Sequence, residues 1–450
     1  MVCYSHQHSH RSLFRLLNTD DGTGQSHIRE IHAQVLRLGH GRDPALLTSL
    51  LRHYTSHTPL PPASTAVFSQ FSTTPPAFAW NLMIRAHTNS GDPFVAVQIY
   101  FNRMVVLGIP IDKFTLPFAV KACAAIFNLG KGKEIHGFAI KTGFYDDVFL
   151  QNTIAHFYLE CGDVESVRLL FDRMPIKNVV SWTTLVSGLV SLGNLEDARE
   201  LFDAMPVRNV VSWTAMIDGY AKHGKPEDAV EMFRTMLMED VKPNEFTFVG
   251  LLIACAELGS LELGRWAHNF AQKHPNSRGY MFDTDIFVGT ALIDMYSNVG
   301  SLADAVKVFD KMPVRSLATW NSMITSFGVH GQGREAVDLF LKMEKEGNVT
   351  PDGITFKAVI CGCLRDGLVD EGCKMFENMI EKYSIEPTAD HWSCLAQLLD
   401  IEDANQIRLF AEDRRFWKED KKWKKLMEVL VVDRRGDELK KLVAKNTFYL

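Results

Sequence analysis

Apolar residues recur along this chain at the spacing of an amphipathic helix, and short breaks divide them into pairs of segments. In one such pair the first segment carries four apolar residues at i, i+3, i+4 and i+7, on one helix face: Trp182, Leu185, Val186 and Leu189. Gly193 and Asn194 end this segment. The second segment ends before Pro206, because proline disfavours helix in the residue preceding it. The pattern predicts two helices, each too short to be stable alone in water.

This helix pair is repeated along most of the chain. Residues 178–188 recur with few changes at 209–219, and a Phe-Asp-x-Met-Pro motif at 171–175 recurs at 202–206 and 309–313. Weaker copies extend the register to ten units, which we number repeats 1 to 10: 44–76, 77–112, 113–147, 148–178, 179–209, 210–244, 245–285, 286–316, 317–352 and 353–388. Each unit can bury its apolar faces only against its neighbours, so the sequence predicts an all-α solenoid.

Three segments flank the repeats. Residues 1–43 include a stretch with Arg11 and Arg15 and no acidic residue before Asp20, which is typical of an organelle transit peptide; an ordinary first helix of the array is the alternative. We assign 1–43 to a transit peptide followed by a degenerate repeat, and 389–401 to a truncated repeat. Residues 402–450 carry 13 Lys or Arg against 10 Asp or Glu. One interpretation is a basic amphipathic helix that contacts phosphates or a partner. The alternative is that this segment results from an altered gene model or splice form.

Composition narrows the possible functions. Hydrophobic residues at 46% and charged residues at 23% are typical of a folded, soluble protein. Since apolar runs of about 18 residues do not occur, we predict no membrane span. A net charge of −6 argues against indiscriminate phosphate binding. The eight cysteines lack Cys-x-x-Cys spacing, so we interpret them as free structural thiols and predict no bound metal and no cofactor.

Two-helix units of this length occur in tetratricopeptide and pentatricopeptide repeat proteins. Here the first helix follows the pattern Val-Val-Ser-Trp-Thr-x-Met/Leu-Ile/Val-x-Gly, the second ends Leu-Phe-x-x-Met, and units end in sequences such as Val-Lys-Pro-Asn at 241–244. This combination resembles plant pentatricopeptide repeat proteins over residues 44–395. Unit lengths vary, and Met-Pro lies near the end of the 31-residue units, which resembles the subfamily with alternating P, L and S repeats.

The resemblance implies a right-handed superhelix that binds single-stranded RNA, one repeat to one base, through two or three side chains per repeat. The reading residues would be the fifth residue of a unit, next to the tryptophan position, and the last residue. The implied pairs are Asn81 with Asp112 and Asn321 with Asp352 for uridine, Asn152 with Asn178 for cytidine with uridine tolerated, Thr183 with Asn209 and Thr214 with Asn244 for adenine, and Thr290 with Ser316 without a defined base.

The second residue of a unit would pack against the base. These residues are Phe78, Phe149, Val180, Val211, Phe287 and Ala318. Pro117 and Val249 occupy the fifth position of two other units and cannot donate a side-chain hydrogen bond, and Lys357 does not fit the family's pairs, so we interpret repeats 3, 7 and 10 as spacers. The predicted target from repeat 2 onward is then U-x-Y-A-A-x-x-U. A structural alternative is that the Asn and Thr residues only cap helices, but their constant register favours base reading.

As a whole, the resemblance implies an organellar, monomeric RNA-binding specificity factor that acts in C-to-U editing or another RNA-processing step by recruiting enzymes in trans. We expect it in the mitochondrion, with the chloroplast as the alternative. Many members continue into a C-terminal extension and sometimes a zinc deaminase domain, which needs His-x-Glu and Pro-Cys-x-x-Cys. Neither motif occurs here, and the chain ends Phe-Tyr-Leu rather than Asp-Tyr-Trp, so we expect no enzyme activity. The alternative function is a protein-binding scaffold of the tetratricopeptide type.

Overall fold

The computed structural model describes residues 12–17, 25–56, 60, 62–274 and 285–399, and the regular secondary structure of these ranges is entirely helical. This confirms the predicted all-α class. Residues 275–284 of repeat 7 and the predicted charged segment 402–450 lie outside the described residues. The chain forms two compact units that divide between Ser212 and Trp213. The superhelical sense of the array remains a prediction of the sequence analysis.

The N-terminal unit contains repeats 1 to 5 and the helices before them. After a helical segment at 12–17, its α-helices are Gln25–Arg37, Pro44–Tyr54, Pro62–Ser69, Ala77–Asn89, Pro93–Val95, Asn102–Val106, Thr115–Ala125, Leu129–Lys141, Val148–Glu160, Val164–Arg173, Val179–Ser191 and Leu195–Ala204. The π-helical segment Ala96–Phe101 joins two of them, and the 3₁₀ turn Phe144–Asp146 ends repeat 3.

The C-terminal unit begins within the first helix of repeat 6, at Trp213, and contains the rest of that repeat, repeats 7 to 10 and the start of a further repeat. Its helices are Val210–Lys222, Pro226–Met238, Glu245–Glu257, Leu261–Lys273, Ile286–Asn298, Leu302–Lys311, Leu317–Val329, Gly333–Glu346, Gly353–Asp366, Val369–Glu381 and Ala389–Leu398. In both units the first helices of successive repeats pack against one another in chain order, and the second helices of repeats 1 to 5 and 7 to 10 pack on their own first helices. The first helices therefore form a continuous layer in each unit.

Local sequence signals end these helices where the pattern predicts. Gly193 follows the first helix of repeat 5 with φ 77, a left-handed conformation that favours glycine. In this turn the Asn194 N–H donates to the Leu189 carbonyl oxygen at 2.9 Å, as in a Schellman motif. The second helix ends at Met205, which adopts an extended backbone (φ −63, ψ 126) because Pro206 follows it.

The tryptophans of the first helices occupy equivalent core positions. Trp80, Trp213 and Trp320 are buried, as expected from the repeat register. Trp182 differs, since its side chain is only partly buried. The Arg315 guanidinium covers both the Phe309 and the Trp320 rings, at 4.6 and 5.8 Å from their centroids. At the corresponding place before Trp182 stands the narrower Lys177, whose ammonium group lies over Phe171 at 5.1 Å.

Candidate nucleic-acid interface

The last residue of a repeat caps the first helix of the next repeat. Asp352 has an extended backbone, and its carboxylate accepts the N–H of Thr355 at 2.9 Å. In return the Thr355 hydroxyl accepts the N–H of Asp352 at 3.1 Å, which completes a capping box. The same reciprocal contact occurs at the repeat boundaries formed by Asp112, Asn178, Asn209, Asn244 and Ser316. The structural interpretation of these polar residues as helix caps therefore holds for the last position.

While it caps the next helix, the last residue of a repeat also contacts the fifth residue of its own repeat. The Asn321 amide Nδ2 donates to Asp352 Oδ1 at 3.2 Å, and the Thr355 hydroxyl lies 2.7 Å from Asn321 Oδ1. Repeat 2 has the same arrangement, with Asn81 Nδ2 at 3.1 Å from Asp112 Oδ1 and the Thr115 hydroxyl at 2.7 Å from Asn81 Oδ1. The structure thus brings both predicted pairs together and adds a third member, the buried threonine of the following repeat.

The charge of the uridine-type pair is stabilised by these contacts. Burial raises the pKa of the Asp352 carboxyl, but hydrogen bonds from the Thr355 N–H and hydroxyl and from the Asn321 amide outweigh that effect, so its pKa lies below the ordinary value. Asp352 is therefore a carboxylate at neutral pH, able to accept hydrogen bonds and unable to donate them.

A threonine at the fifth position forms a similar cluster. The Thr214 hydroxyl lies 2.6 Å from the Thr247 hydroxyl, which in turn lies 2.8 Å from Asn244 Oδ1. In repeat 8 the Thr290 hydroxyl is 2.8 Å from that of Thr319 and also donates to the Ile286 carbonyl oxygen at 2.8 Å. The predicted adenine pair of repeat 6 and the undefined pair of repeat 8 are therefore linked through the capping hydroxyl.

In repeats 4 and 5 the predicted pair is followed by a repeat whose third residue is serine. The side chains of these two pairs are joined by a long hydrogen bond or by none. Asn152 Nδ2 lies 3.5 Å from Asn178 Oδ1, and Asn152 Oδ1 is buried without a hydrogen-bond partner in the described part of the chain. In repeat 5 the Thr183 hydroxyl donates to its own helix, at the Val179 carbonyl oxygen. The Ser212 hydroxyl donates to the Asn209 backbone carbonyl oxygen rather than to a side chain. Within the described residues no hydrogen bond joins the Thr183 and Asn209 side chains.

Apolar side chains at the second position of the repeats are exposed. The predicted members Phe78, Phe149, Val180, Val211 and Phe287 are between 52 and 66% exposed. Ala318 is exposed as well. Phe114, Phe246 and Ile354 are equally exposed, at 60 to 63%, although they belong to the repeats interpreted as spacers. The sequence signal for these three residues was present, since each is the second residue of its unit. The Phe246 and Phe287 ring centroids are 6.4 Å apart.

One cleft of the N-terminal unit combines both kinds of residue. Its lining includes the second-position residues Val180 and Val211, and the predicted pair Thr183 and Asn209. Further polar side chains line it that were not singled out from the sequence: Thr184, Ser187, Ser191, His156 and the acidic Glu160. The cleft therefore offers two apolar walls and a row of hydroxyl and amide groups, an arrangement suited to a flat ring with polar edges.

A second cleft lies in the C-terminal unit at repeat 10. Asp352, Ile354, Lys357 and Cys361 line it, together with Asp390. The Lys357 ammonium donates to Asp390 Oδ2 at 2.8 Å, and this hydrogen bond raises the pKa of the lysine. The fifth residue of repeat 10 is thus paired with the next helix, Ala389–Leu398, rather than with a last residue of its own repeat.

Other kinds of site were also considered. Across residues 12–17, 25–56, 60, 62–274 and 285–399, no group of three or more His, Cys, Asp or Glu side chains is arranged to hold a metal ion. None of the helices described is both long and apolar enough to cross a membrane. The seven described cysteines are free thiols, and Cys361 and Cys394 have their sulfur atoms 2.8 Å apart. Cys3 lies outside the described residues.

Comparison with known families and proteins identifies the repeats. The model of the PPR repeat matches residues 78–109, 180–210, 290–317 and 354–383. The model of the PPR repeat family matches residues 208–257 and 315–365. The matches fall in both units of the structure and start close to the first helices of the repeats.

Relatives from Arabidopsis thaliana match along most of the chain. "Pentatricopeptide repeat-containing protein At3g26630, chloroplastic" is 52% identical over 375 residues, covering 83% of this chain and 81% of the relative. "Pentatricopeptide repeat-containing protein At4g18840" is 39% identical over 427 residues, covering 86 and 77%. "Pentatricopeptide repeat-containing protein At1g59720, chloroplastic/mitochondrial" is 33% identical over 395 residues, and the chain spans only 56% of its length.

Among solved structures, the crystal structure of the pentatricopeptide repeat protein PPR10 from maize is 17% identical. It aligns with a TM-score of 0.41, covering 93% of this chain and 71% of PPR10. The structure of PPR10 in complex with an 18-nt psaJ RNA element aligns with a TM-score of 0.33, covering 86% of this chain and 76% of PPR10.

Proposed function

This chain belongs to the pentatricopeptide repeat family, and we propose that it is a sequence-specific single-stranded RNA-binding protein of a plant organelle. Repeats of this family read RNA with two or three side chains per base. The observation that carries the proposal is the combination of an exposed apolar residue at the second position with a polar cluster at the fifth and last positions. In repeat 5 all four such residues line one cleft: Val180, Val211, Thr183 and Asn209.

The chemistry of these residues suits a nucleotide base. The apolar side chains contact the faces of a base, and such packing contributes about 1–3 kcal/mol per base where the side chain is aromatic. The polar cluster then meets the base edge. For uracil, the Asp352 carboxylate accepts the ring N–H, and the second hydrogen of Asn321 Nδ2 donates to a ring oxygen.

The overall charge is consistent with reading bases rather than phosphates. With a net charge of −6, the protein gains little from non-specific attraction to the RNA backbone. We therefore expect that affinity depends on sequence, and that it falls less steeply with salt than for a basic RNA-binding protein.

The finer assignments are also proposals. The alternating repeat lengths support the P, L and S subfamily, and we include in the proposal a monomeric adaptor that recruits an editing or processing enzyme in trans. We retain 1–43 as a transit peptide with a degenerate repeat, 44–388 as the ten-repeat array, and 389–401 as a truncated repeat. The name of the relative that is 52% identical favours the chloroplast over the mitochondrion.

Binding to short RNAs tests the proposed function. At one fixed salt concentration, we expect single-stranded U-x-Y-A-A-x-x-U to bind at least about tenfold more tightly than the same bases in reversed order or in a duplex. A Val180→Asp/Val211→Asp variant should lose this binding without unfolding, because both side chains are more than half exposed. Equal binding to all three RNAs, or unchanged binding by the variant, would leave the protein-scaffold alternative as the better account.

A further inference from the structure

In every repeat that follows a predicted reading pair, the third residue is buried and carries a hydroxyl group. Thr115, Thr247, Thr319, Thr355 and Ser212 have no exposed surface, and Ser181 is 2% exposed. These six residues follow the six predicted reading pairs in order. They divide into two classes, because only the four threonines place their hydroxyl within hydrogen-bond distance of the fifth residue of the preceding repeat.

The threonine hydroxyl decides which hydrogen-bonding group the preceding asparagine can offer. Thr355 Oγ1 lies 2.7 Å from Asn321 Oδ1 and 2.9 Å from Asp352 Oδ1, and both oxygens are acceptors, so its single hydroxyl hydrogen is shared between them with the shorter contact to Asn321. With its oxygen occupied, the Asn321 amide can offer a ligand only an Nδ2 hydrogen. Beside it stands the acceptor Asp352. One donor and one acceptor match the edge of uracil and mismatch that of cytosine, whose amino group donates and whose ring nitrogen accepts.

The threonine pair in repeat 6 is held by the same kind of contact, but its polarity is not fixed. The Thr247 hydroxyl donates to Asn244 Oδ1 at 2.8 Å, so Asn244 can offer a base only its Nδ2 hydrogens. Thr214 and Thr247 lie 2.6 Å apart, and either hydroxyl can be the donor of that contact. Thr214 can therefore meet the amino group of adenine with a lone pair, beside the Asn244 hydrogens that the adenine ring nitrogen accepts.

A serine at this position leaves the preceding residue unfixed. A threonine side chain has restricted χ1 freedom, whereas serine lacks the second branch. The Ser181 hydroxyl bonds Asn178 at 3.0 Å and leaves Asn152 Oδ1 without a partner within the described residues. No hydroxyl fixes the orientation of the Asn152 amide, so it can turn to bring either its oxygen or its nitrogen to a base, and repeat 4 should tolerate both pyrimidines.

We propose that the buried threonine at the third position of a repeat is a positioning residue that sets the base selectivity of the repeat before it. Thr115 and Thr355 fix the hydrogen-bonding polarity of the preceding asparagine, Thr247 and Thr319 hold the preceding threonine at hydrogen-bond distance, and Ser181 and Ser212 do neither. The proposal rests on the RNA-binding function proposed above. It assigns selectivity to a residue that itself touches no base.

Two opposite substitutions test it. In Thr355→Val the hydroxyl is lost and the branched shape is kept, so preference for U over C at the eighth base of U-x-Y-A-A-x-x-U should fall from about tenfold to about twofold. Preferences at the other bases should not change, and Thr355→Ser should give an intermediate value. In Ser181→Thr the new methyl group should direct the hydroxyl to Asn152 Oδ1, leaving two donors at repeat 4. Preference for C over U at the third base should then rise at least about threefold.

The outcomes separate this proposal from the function on which it rests. A wild-type protein without sequence-dependent RNA binding would overturn both. Sequence-dependent binding with the wild-type U/C ratio in Thr355→Val would overturn the positioning role alone. If Thr355→Val does not fold, Ser181→Thr decides, because it adds one methyl group to a folded protein. An unchanged or smaller C preference in Ser181→Thr would overturn the proposal.

Discussion

The carboxamide of Asn321 donates a hydrogen bond of 3.2 Å to the carboxylate of Asp352, although 31 residues separate them in the chain. Asp352 at the same time caps the first helix of repeat 10. One side chain thus serves both the stability of a helix and the recognition surface of the repeat before it. Substitutions at such positions must keep the cap if they are to report on recognition alone.

The cap at Asp352 predicts a pH-dependent contribution to stability. Its pKa is lower in the folded protein than in the unfolded chain, so its stabilising effect is complete above the unfolded value and is lost as the pH falls through the folded value. Asp352→Ala should lower the free energy of unfolding by about 1 kcal/mol at pH 7. Asp352→Asn, which keeps a capping oxygen, should lose less, and the difference between wild type and this variant should shrink between pH 5 and pH 3. Denaturant unfolding at several pH values measures both effects, and a difference that grows on acidification would contradict the assignment.

The exposed apolar side chains at the second position predict that repeat 7, which we interpret as a spacer, contributes to RNA affinity. Phe246→Ala should weaken RNA binding, by about 1 kcal/mol if a base packs on the ring, with little change in stability because the ring is 60% exposed. Phe248 is the matched control, since it lies two residues further along the same helix with no exposed surface. Phe248→Ala should cost about 3–5 kcal/mol of stability. Unchanged affinity in Phe246→Ala would contradict this prediction and would show that no base packs on this ring.

Gln151 predicts a stabilising substitution. It occupies the position that tryptophan holds in repeats 2, 5, 6 and 9, and it has no exposed surface. Its amide nitrogen and oxygen make no hydrogen bond within the described residues. Because a buried, unsatisfied amide costs about 1–3 kcal/mol, Gln151→Met should raise the melting temperature. A lower melting temperature would mean that the amide has a partner, such as an ordered water molecule, in solution.

The thiol pair predicts selective alkylation. The contact with Cys394, followed by the positive charges of Lys357 and Arg365, lowers the pKa of Cys361, although burial opposes this. Burial raises the pKa of Cys123 to about 12. Iodoacetamide at neutral pH should therefore modify Cys361 well before Cys123, as read by peptide mass spectrometry. Equal rates at the two sites would contradict the lowered pKa.

Sequence reasoning predicted the architecture well because its signals are local. Gly193 and Pro206 end helices through their own backbone preferences, whatever surrounds them. It did not predict the partial exposure of Trp182, which occupies the same position in the helical pattern as the buried Trp80, Trp213 and Trp320. The role of Thr355 was missed for a related reason: its contact with Asn321 spans 34 residues and appears only when two repeats are packed together.

The central claim, that the fifth and last residues of the repeats read bases, is tested most directly by changing Asn209 and Asn244 together to aspartate. Aspartate already caps helices at Asp112 and Asp352, so the variant should keep its fold. A carboxylate accepts the hydrogen bonds that an amide would donate, and guanine presents a donating ring N–H where adenine presents an acceptor. In competition between U-x-Y-A-A-x-x-U and U-x-Y-G-G-x-x-U at one salt concentration, the wild type should prefer the adenine RNA by about 1 kcal/mol or more per base. The double variant should prefer the guanine RNA, and a double variant that retains the wild-type preference at unchanged affinity would contradict the account.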